Sequence, residues 1–256
     1  MNTILSVKEV RCGYQNIEVL HGISFEAKAN EKICIIGPNG CGKTTLLRTI
    51  GNIIPFQGEI IACGQRVDGA KRKELAKKIA YMNQMNSVYF DYTVYETVML
   101  GRYAYSKGIS GTNVVENKKI VEESMHRTGI YELRDKVLTE LSGGQLQRVM
   151  LARAFAQTPD IILLDEPMNH LDFKYQIELM EYLNKWVMEG ERCILSVLHD
   201  FNMTFNFADR ILLMNDGKFV IDAEKKEFPL EKINEIYKID VCRYMNDSLA
   251  FWGKEH

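Results

Sequence analysis

Short runs of consecutive apolar residues alternate along this chain with longer stretches in which apolar side chains recur every three or four positions. The runs at 5–10, 32–36, 79–82, 161–164 and 193–198 have the length and composition of strands. Ile161, Ile162, Leu163 and Leu164 are apolar without interruption, the pattern of a strand buried on both faces of a parallel sheet. Between the runs, the spacing predicts helices over 43–50, 117–126, 145–156 and 173–188; in the last, Leu179, Leu183 and Val187 share one face. Thr93-Val94-Tyr95-Glu96 has the form of a capping box and opens a helix through Leu100 that stops at Gly101. Asn215-Asp216-Gly217 separates apolar runs at 211–214 and 219–221 and predicts a hairpin. Pro229 starts a short helix ending near Lys238. Strands alternating with helices imply an α/β domain with a largely parallel sheet, into which the helical block at 86–157 is inserted.

A chain of 256 residues is long enough for a well-buried core and at most two domains. The formal net charge of −2 provides no global field to attract nucleic acid, and no nucleic-acid partner is expected. The one basic cluster, Lys71, Arg72 and Lys73 with Lys77 and Lys78, reads as a solvated helix face. Leu75, Ala76 and Ile79 supply its inner side and Glu74 breaks the charge run. Cys12, Cys34, Cys41, Cys63, Cys193 and Cys242 contain no CxxC pair, so neither a zinc site nor a disulfide framework is expected. No apolar stretch approaches the ~20 residues needed to cross a bilayer. Lys8, Glu9 and Arg11 stand where a signal peptide would need an apolar run. If the chain serves transport, another chain must form the pathway.

The chemistry concentrates in three places. Gly37-Pro38-Asn39-Gly40-Cys41-Gly42-Lys43-Thr44-Thr45 matches the P-loop pattern, after a predicted strand and at the start of a predicted helix. Its glycines let successive N–H groups turn towards phosphate oxygens, and the helix N-terminus adds a favourable dipole. Lys43 is expected to reach the β- and γ-phosphates and Thr44 to hold Mg²⁺. Second, the strand at 161–164 runs into Asp165 and Glu166, at the end of a parallel strand where such sheets bind ligands. Asp165 suits Mg²⁺, directly or through water, and Glu166 is placed to orient and deprotonate a water; a helix-capping acidic pair is the plainer alternative. Third, Ser142 and Gln145 outline a capping box, with Gly143 and Gly144 exposing N–H groups at a second helix N-terminus. One chain thus carries two phosphate-binding elements far apart in sequence.

Leu141-Ser142-Gly143-Gly144-Gln145 resembles the signature of the ABC ATPases, and the chain is similar to that family from about Leu5 to Trp252. The resemblance implies a P-loop NTPase fold: a RecA-like α/β nucleotide-binding core (1–85 and 158–256), a small antiparallel β subdomain, and a helical subdomain (86–157) carrying the signature. It implies a head-to-tail homodimer, with Mg·ATP between the P-loop of one copy and the Ser142 loop of the other. Gln84 resembles the Q-loop glutamine, which touches Mg²⁺ or water and reports to the helical subdomain. Asn169-His170-Leu171-Asp172 resembles the D-loop, with Asp172 linking the two sites. His199 resembles the switch histidine that holds the γ-phosphate and Glu166, and Tyr14 would stack on adenine. The segments at 93–103, 197–202, 208–210 and 236–241 are similar to importers of iron–siderophores, haem and cobalamin.

That similarity implies an ATPase at the cytoplasmic face of the cell membrane. Its partners would be polytopic permease subunits and, indirectly, an extracytoplasmic substrate-binding protein. Residues 88–105 would line the groove that receives a permease helix, unless Tyr92, Tyr95 and Met99 simply fill a core. A soluble ABC ATPase of iron–sulfur cluster assembly is the alternative. Two positions depart from the family. Cys41 stands where serine or alanine is usual, and a helix N-terminus beside Lys43 predicts an acidic, reactive thiol, the alternative being an inert small residue. Met168 stands where threonine or serine is common.

Overall fold

A computed structural model describes residues 2–15, 17–83, 91–105, 114–169 and 171–252. In chain order it contains β1 (Thr3–Tyr14), β2 (Ile17–Lys28), β3 (Glu31–Ile36), α1 (Lys43–Ile50), β4 (Gln57–Ala62), β5 (Gln65–Arg66), α2 (Arg72–Lys78) and β6 (Ile79–Met82). Then follow α3 (Val94–Met99), α4 (Val114–Arg127), α5 (Gly143–Ala156), β7 (Ile161–Asp165), α6 (Phe173–Met188) and β8 (Cys193–Val197). The chain continues through α7 (Phe201–Phe207), β9 (Arg210–Asn215), β10 (Lys218–Glu224), α8 (Glu231–Tyr237) and α9 (Val241–Trp252).

The strands form two sheets. One is antiparallel, in the order β2-β1-β4-β5; the other has the order β10-β9-β3-β8-β7-β6 and is parallel except for the β9–β10 hairpin. Side-chain alternation explains how the second sheet is buried on both faces. Ile33 and Ile35 of β3 turn towards β1 and β2, into a core with Leu5, Val7, Leu46, Leu47, Leu163 and Leu195. Cys34 and Ile36 turn the other way, towards Ile162, Leu164, Ile194 and the apolar faces of α5 and α6. Glu31 of β3 and Ile161 of β7 both stand level with Cys193 of β8. Three neighbouring parallel strands therefore end at one edge of the sheet, and the loops that leave them there build the site.

The helical block differs from expectation at one glycine. Gly101 does not stop a helix: α3 ends at Met99 and continues as a 3₁₀ segment, Leu100–Tyr105. A Cβ at position 101 would lie 2.4 Å from the Arg153 carbonyl oxygen, so glycine is there to let this segment touch α5. Both expected capping boxes form, Thr93 with Glu96 and Ser142 with Gln145. The strands β2 and β4 and the helices α7 and α9 lie outside the predicted elements. In β2, polar residues and Gly22 interrupt the apolar positions, so no run announces it. Among the described residues no helix is long and apolar enough to cross a membrane.

Candidate functional site

The loop after β3 is shaped by glycines that no other residue could replace without strain. Gly37, Gly40 and Gly42 all have left-handed φ, at 149°, 80° and 107°. A Cβ on Gly37 would stand 2.1 Å from the Met214 carbonyl oxygen of β9, so the loop is pressed onto the neighbouring strand. Gly42 caps α1 without a side-chain hydrogen bond, which leaves N–H donors of the first turn open to an anion. Lys43 is only 6% exposed, and its Nζ donates to the carbonyls of Gly37 (2.6 Å) and Pro38 (2.8 Å). These dipoles hold the ammonium across the loop without cancelling its charge, which remains available to a phosphate.

Asp165 ends β7 facing α1. Thr44 Oγ1 donates to its Oδ1 (3.1 Å) and Tyr81 Oη donates to its Oδ2 (3.2 Å). Burial pushes the Asp165 carboxyl above the ordinary range, and the bonds from Thr44 and Tyr81 oppose that rise. A hydroxyl and a carboxylate so close together form a hard-oxygen pair that fits Mg²⁺. Glu166 is a non-glycine residue at φ 54°, a conformation that costs of order 1–3 kcal/mol. Its N–H is tied to the Val197 carbonyl of β8 (3.2 Å). Its Oε1 lies 2.6 Å from His199 Nε2, and its Oε2 accepts from the Asn169 side-chain amide. His199 follows β8 and precedes Asp200, which caps α7 by accepting from the Met203 N–H (2.8 Å).

Val19, Asn39, Gly40, Gly42, Lys43, Thr44, Thr45, Glu166 and His199 line one cavity of about 290 Å³. A depression of about 580 Å³ between the β1–β2 hairpin and residues 55–57 is larger, but Arg11 and Glu18 in its wall pair with each other. Convergent chemistry, not size, locates the site.

The other expected residues stand apart from this cavity. Ser142 and Gln145 are occupied with each other: the Gln145 N–H donates to Ser142 Oγ (3.3 Å) and the Ser142 N–H to Gln145 Oε1 (3.0 Å). With Gly143 and Gly144 they form the N-terminus of α5, outside the cavity lining. Asp172 caps α6, accepting from the Tyr175 N–H (3.1 Å). Tyr14 ends β1, is 42% exposed and does not line the cavity. Gln84, His170 and residues 88–90 of the expected groove lie outside the described residues.

Cys41 corrects an expectation: its side chain is 5% exposed and burial pushes the thiol up, against the opposing pull of Lys43. Desolvation outweighs the helix terminus here, so the thiol is not acidic. Three contacts went unforeseen: Tyr81 on Asp165, the Asn169 amide on Glu166, and Gln147 Nε2 of α5 on the Pro167 carbonyl (3.1 Å). A signal existed only for Tyr81. Once β6 is paired with β7, Tyr81 is level with Leu163 and so shares a face with Asp165.

Residues 20–169 match the family model described as ABC transporter. The ferric enterobactin transport ATP-binding protein FepC of Escherichia coli (strain K12) is 34% identical over 95% of this chain and 90% of its own. The uncharacterized ABC transporter ATP-binding protein YvrA of Bacillus subtilis (strain 168) is 35% identical over 92% of this chain, which spans 54% of that protein. Among solved structures, the dimeric ATP-binding cassette MJ0796, in a post-hydrolysis state bound to ADP and Pi, superposes with a TM-score of 0.77. It is 30% identical and covers 88% of this chain and 100% of its own. By the family match across residues 20–169 and by relatives such as FepC that cover nearly the whole chain, the chain belongs to the ABC transporter family, as an ATP-binding subunit that hydrolyses ATP.

Proposed function

We propose that this chain is the ATPase subunit of an importer for an iron chelate, acting as a head-to-tail pair of copies beneath a polytopic permease at the cytoplasmic face of the membrane. The observation that carries the catalytic part is the convergence of Lys43, Thr44, Asp165, Glu166 and His199 on the ends of three adjacent strands. The name of FepC, a ferric enterobactin transport ATP-binding protein, supports the cargo class. The dimeric state of MJ0796 supports the pairing.

In this reading the open N–H groups at the start of α1 and the Lys43 ammonium bind the β- and γ-phosphates, and the Ser142 end of α5 from the second copy closes over the γ-phosphate. Thr44 and Asp165, with Gln84, would hold Mg²⁺, which when bound neutralises phosphate charge. Glu166 takes the proton of the attacking water. His199 and Asn169 hold the two carboxylate oxygens, so the base is oriented before substrate arrives. Asp172 links the two sites. Loss of the γ-phosphate opens the pair, and Gln84 with the helical subdomain transmits that motion to the permease.

The test is co-expression with the genes flanking this one, followed by affinity purification from membranes. A polytopic membrane protein is expected to co-purify. ATPase activity of the reconstituted complex is expected to rise when a binding protein loaded with a ferric siderophore is added. Stimulation by cobalamin instead would reassign the cargo. A soluble ATPase with no membrane partner would overturn the importer reading in favour of a cluster-assembly role.

A further inference from the structure

Gln147 breaks the pattern of its helix. One buried stripe of α5 runs through positions 147, 150, 151 and 154, and the last three are Met150, Leu151 and Ala154. The first is a glutamine, only 6% exposed. Burying an amide costs free energy unless its hydrogen bonds are made. Here Nε2 donates to the Pro167 carbonyl at 3.1 Å and, over a longer 3.4 Å, to the Glu166 carbonyl. These are successive backbone oxygens of the segment that leaves β7. The turn closes where the Asn169 N–H donates to the same Glu166 oxygen (3.3 Å). Downstream, Gln176 of α6 donates to the carbonyls of Met168 (3.3 Å) and Leu171 (3.1 Å). Glutamines from two helices thus hold the backbone between Glu166 and Asp172, and neither lines the P-loop cavity.

We propose that Gln147 is a positioning residue for the catalytic base: it fixes the turn at 166–169 so that the Asn169 amide meets the Glu166 carboxylate. The proposal rests on the reading of Glu166 as the base. Gln147 reaches the turn through backbone carbonyls, so it brings no charge and no proton acceptor to the reacting atoms. What it controls is shape. Glu166 starts the turn in a left-handed conformation, and Asn169 at the far end donates to its carboxylate. Both ends of that contact lie within one four-residue turn, so a turn that loosens carries the amide away from the oxygen it holds. Nucleotide affinity is set elsewhere, by Lys43 and the open N–H groups at the start of α1, so the loss falls on turnover. Gln147 also stands on the helix that begins at Ser142, and the test separates service to the base from service to that helix end.

The test is steady-state ATP hydrolysis by the full chain, with active sites counted by stoichiometric binding of trinitrophenyl-ATP. Glu166→Gln is measured first: a rate near native would overturn the base reading, and this proposal with it. Gln147→Leu, close in shape but without the amide, is expected to lower kcat per active site roughly threefold to tenfold, the effect of one lost hydrogen bond. KM and the affinity for trinitrophenyl-ATP should stay native. Asn169→Ala should lower kcat as well. The double variant should be no slower than the slower single, because both changes remove one hold on the same carboxylate. Losses that multiply in the double variant would overturn the proposal, since that is what a displaced Ser142 end of α5, or a general loosening of the fold, would give. Native kcat in Gln147→Leu or in Asn169→Ala, with Glu166→Gln inactive, would also overturn it and would leave the base assignment standing. Gln147→Asn keeps an amide one methylene short of the carbonyls. It is expected to show the same selective loss of kcat, and it decides the question where Gln147→Leu does not fold.

Discussion

At the scale of single residues, Glu166 shows how a catalytic group is prepared. Its backbone is held in a costly conformation, its N–H is anchored to β8, and both carboxylate oxygens are engaged from different loops. Such arrangements persist only where surrounding structure over-determines them. Replacing Glu166 with Gln leaves the shape and removes the base. Hydrolysis should fall by about 10²–10⁴-fold while ATP binding survives, and an ATP-bound dimer should accumulate in gel filtration. An active Glu166→Gln protein would remove Glu166 from the role of base. Cys41 makes the opposite point. Its neighbours in sequence argued for an acidic thiol, whereas the side chain is folded away from solvent, and burial decides the sign of the shift.

At the scale of elements, the two capping boxes carry most of what local sequence could say about the helical block. Thr93 accepts from the Glu96 N–H (3.2 Å) and the Glu96 carboxylate accepts from the Thr93 N–H (2.8 Å). The bond from the Thr93 backbone, with that from its hydroxyl, holds the Glu96 carboxyl below the usual glutamate range. A carboxyl whose value is lower in the folded than in the unfolded chain stabilises fully above the unfolded value, and that contribution is lost as pH falls through the folded one. Urea unfolding of the native protein and of Glu96→Gln should therefore differ at neutral pH. The gap should close in the acid range below the ordinary glutamate value. A gap independent of pH would mean that the carboxylate is not the stabilising form. Gly101 was misread at this scale because a glycine that ends a helix and one that admits a neighbouring helix look alike in sequence; only the approach of Arg153 separates them.

At the scale of the whole molecule, the chain carries one P-loop cavity and one Ser142 element that does not line it. The head-to-tail reading makes a mixing experiment decisive. Lys43→Ala disables the P-loop and Ser142→Arg disables the opposing element, so each variant alone should hydrolyse little ATP. A mixture should regain a fraction of native activity, because in the mixed dimer one site draws an intact P-loop from one copy and an intact Ser142 loop from the other. No recovery on mixing would argue against sites shared between copies.

The sequence by itself determined the local chemistry: the P-loop, the apolar strand ending in Asp165 and Glu166, and both capping boxes are contiguous, and each needs only a few residues and backbone geometry to exist. It also determined the alternation of strands and helices, because burial on both faces of β7 demands an unbroken apolar run. Tertiary structure alone decided what those pieces touch. His199 meets Glu166 because β8 lies between β3 and β7, and Tyr81 meets Asp165 because β6 pairs with β7 in one register. Cys41 is buried in a core that draws on strands as distant in sequence as β1 and β9. Such contacts join residues tens to hundreds of positions apart, and no local pattern encodes which of many compatible partners a side chain will meet until the sheet order is set.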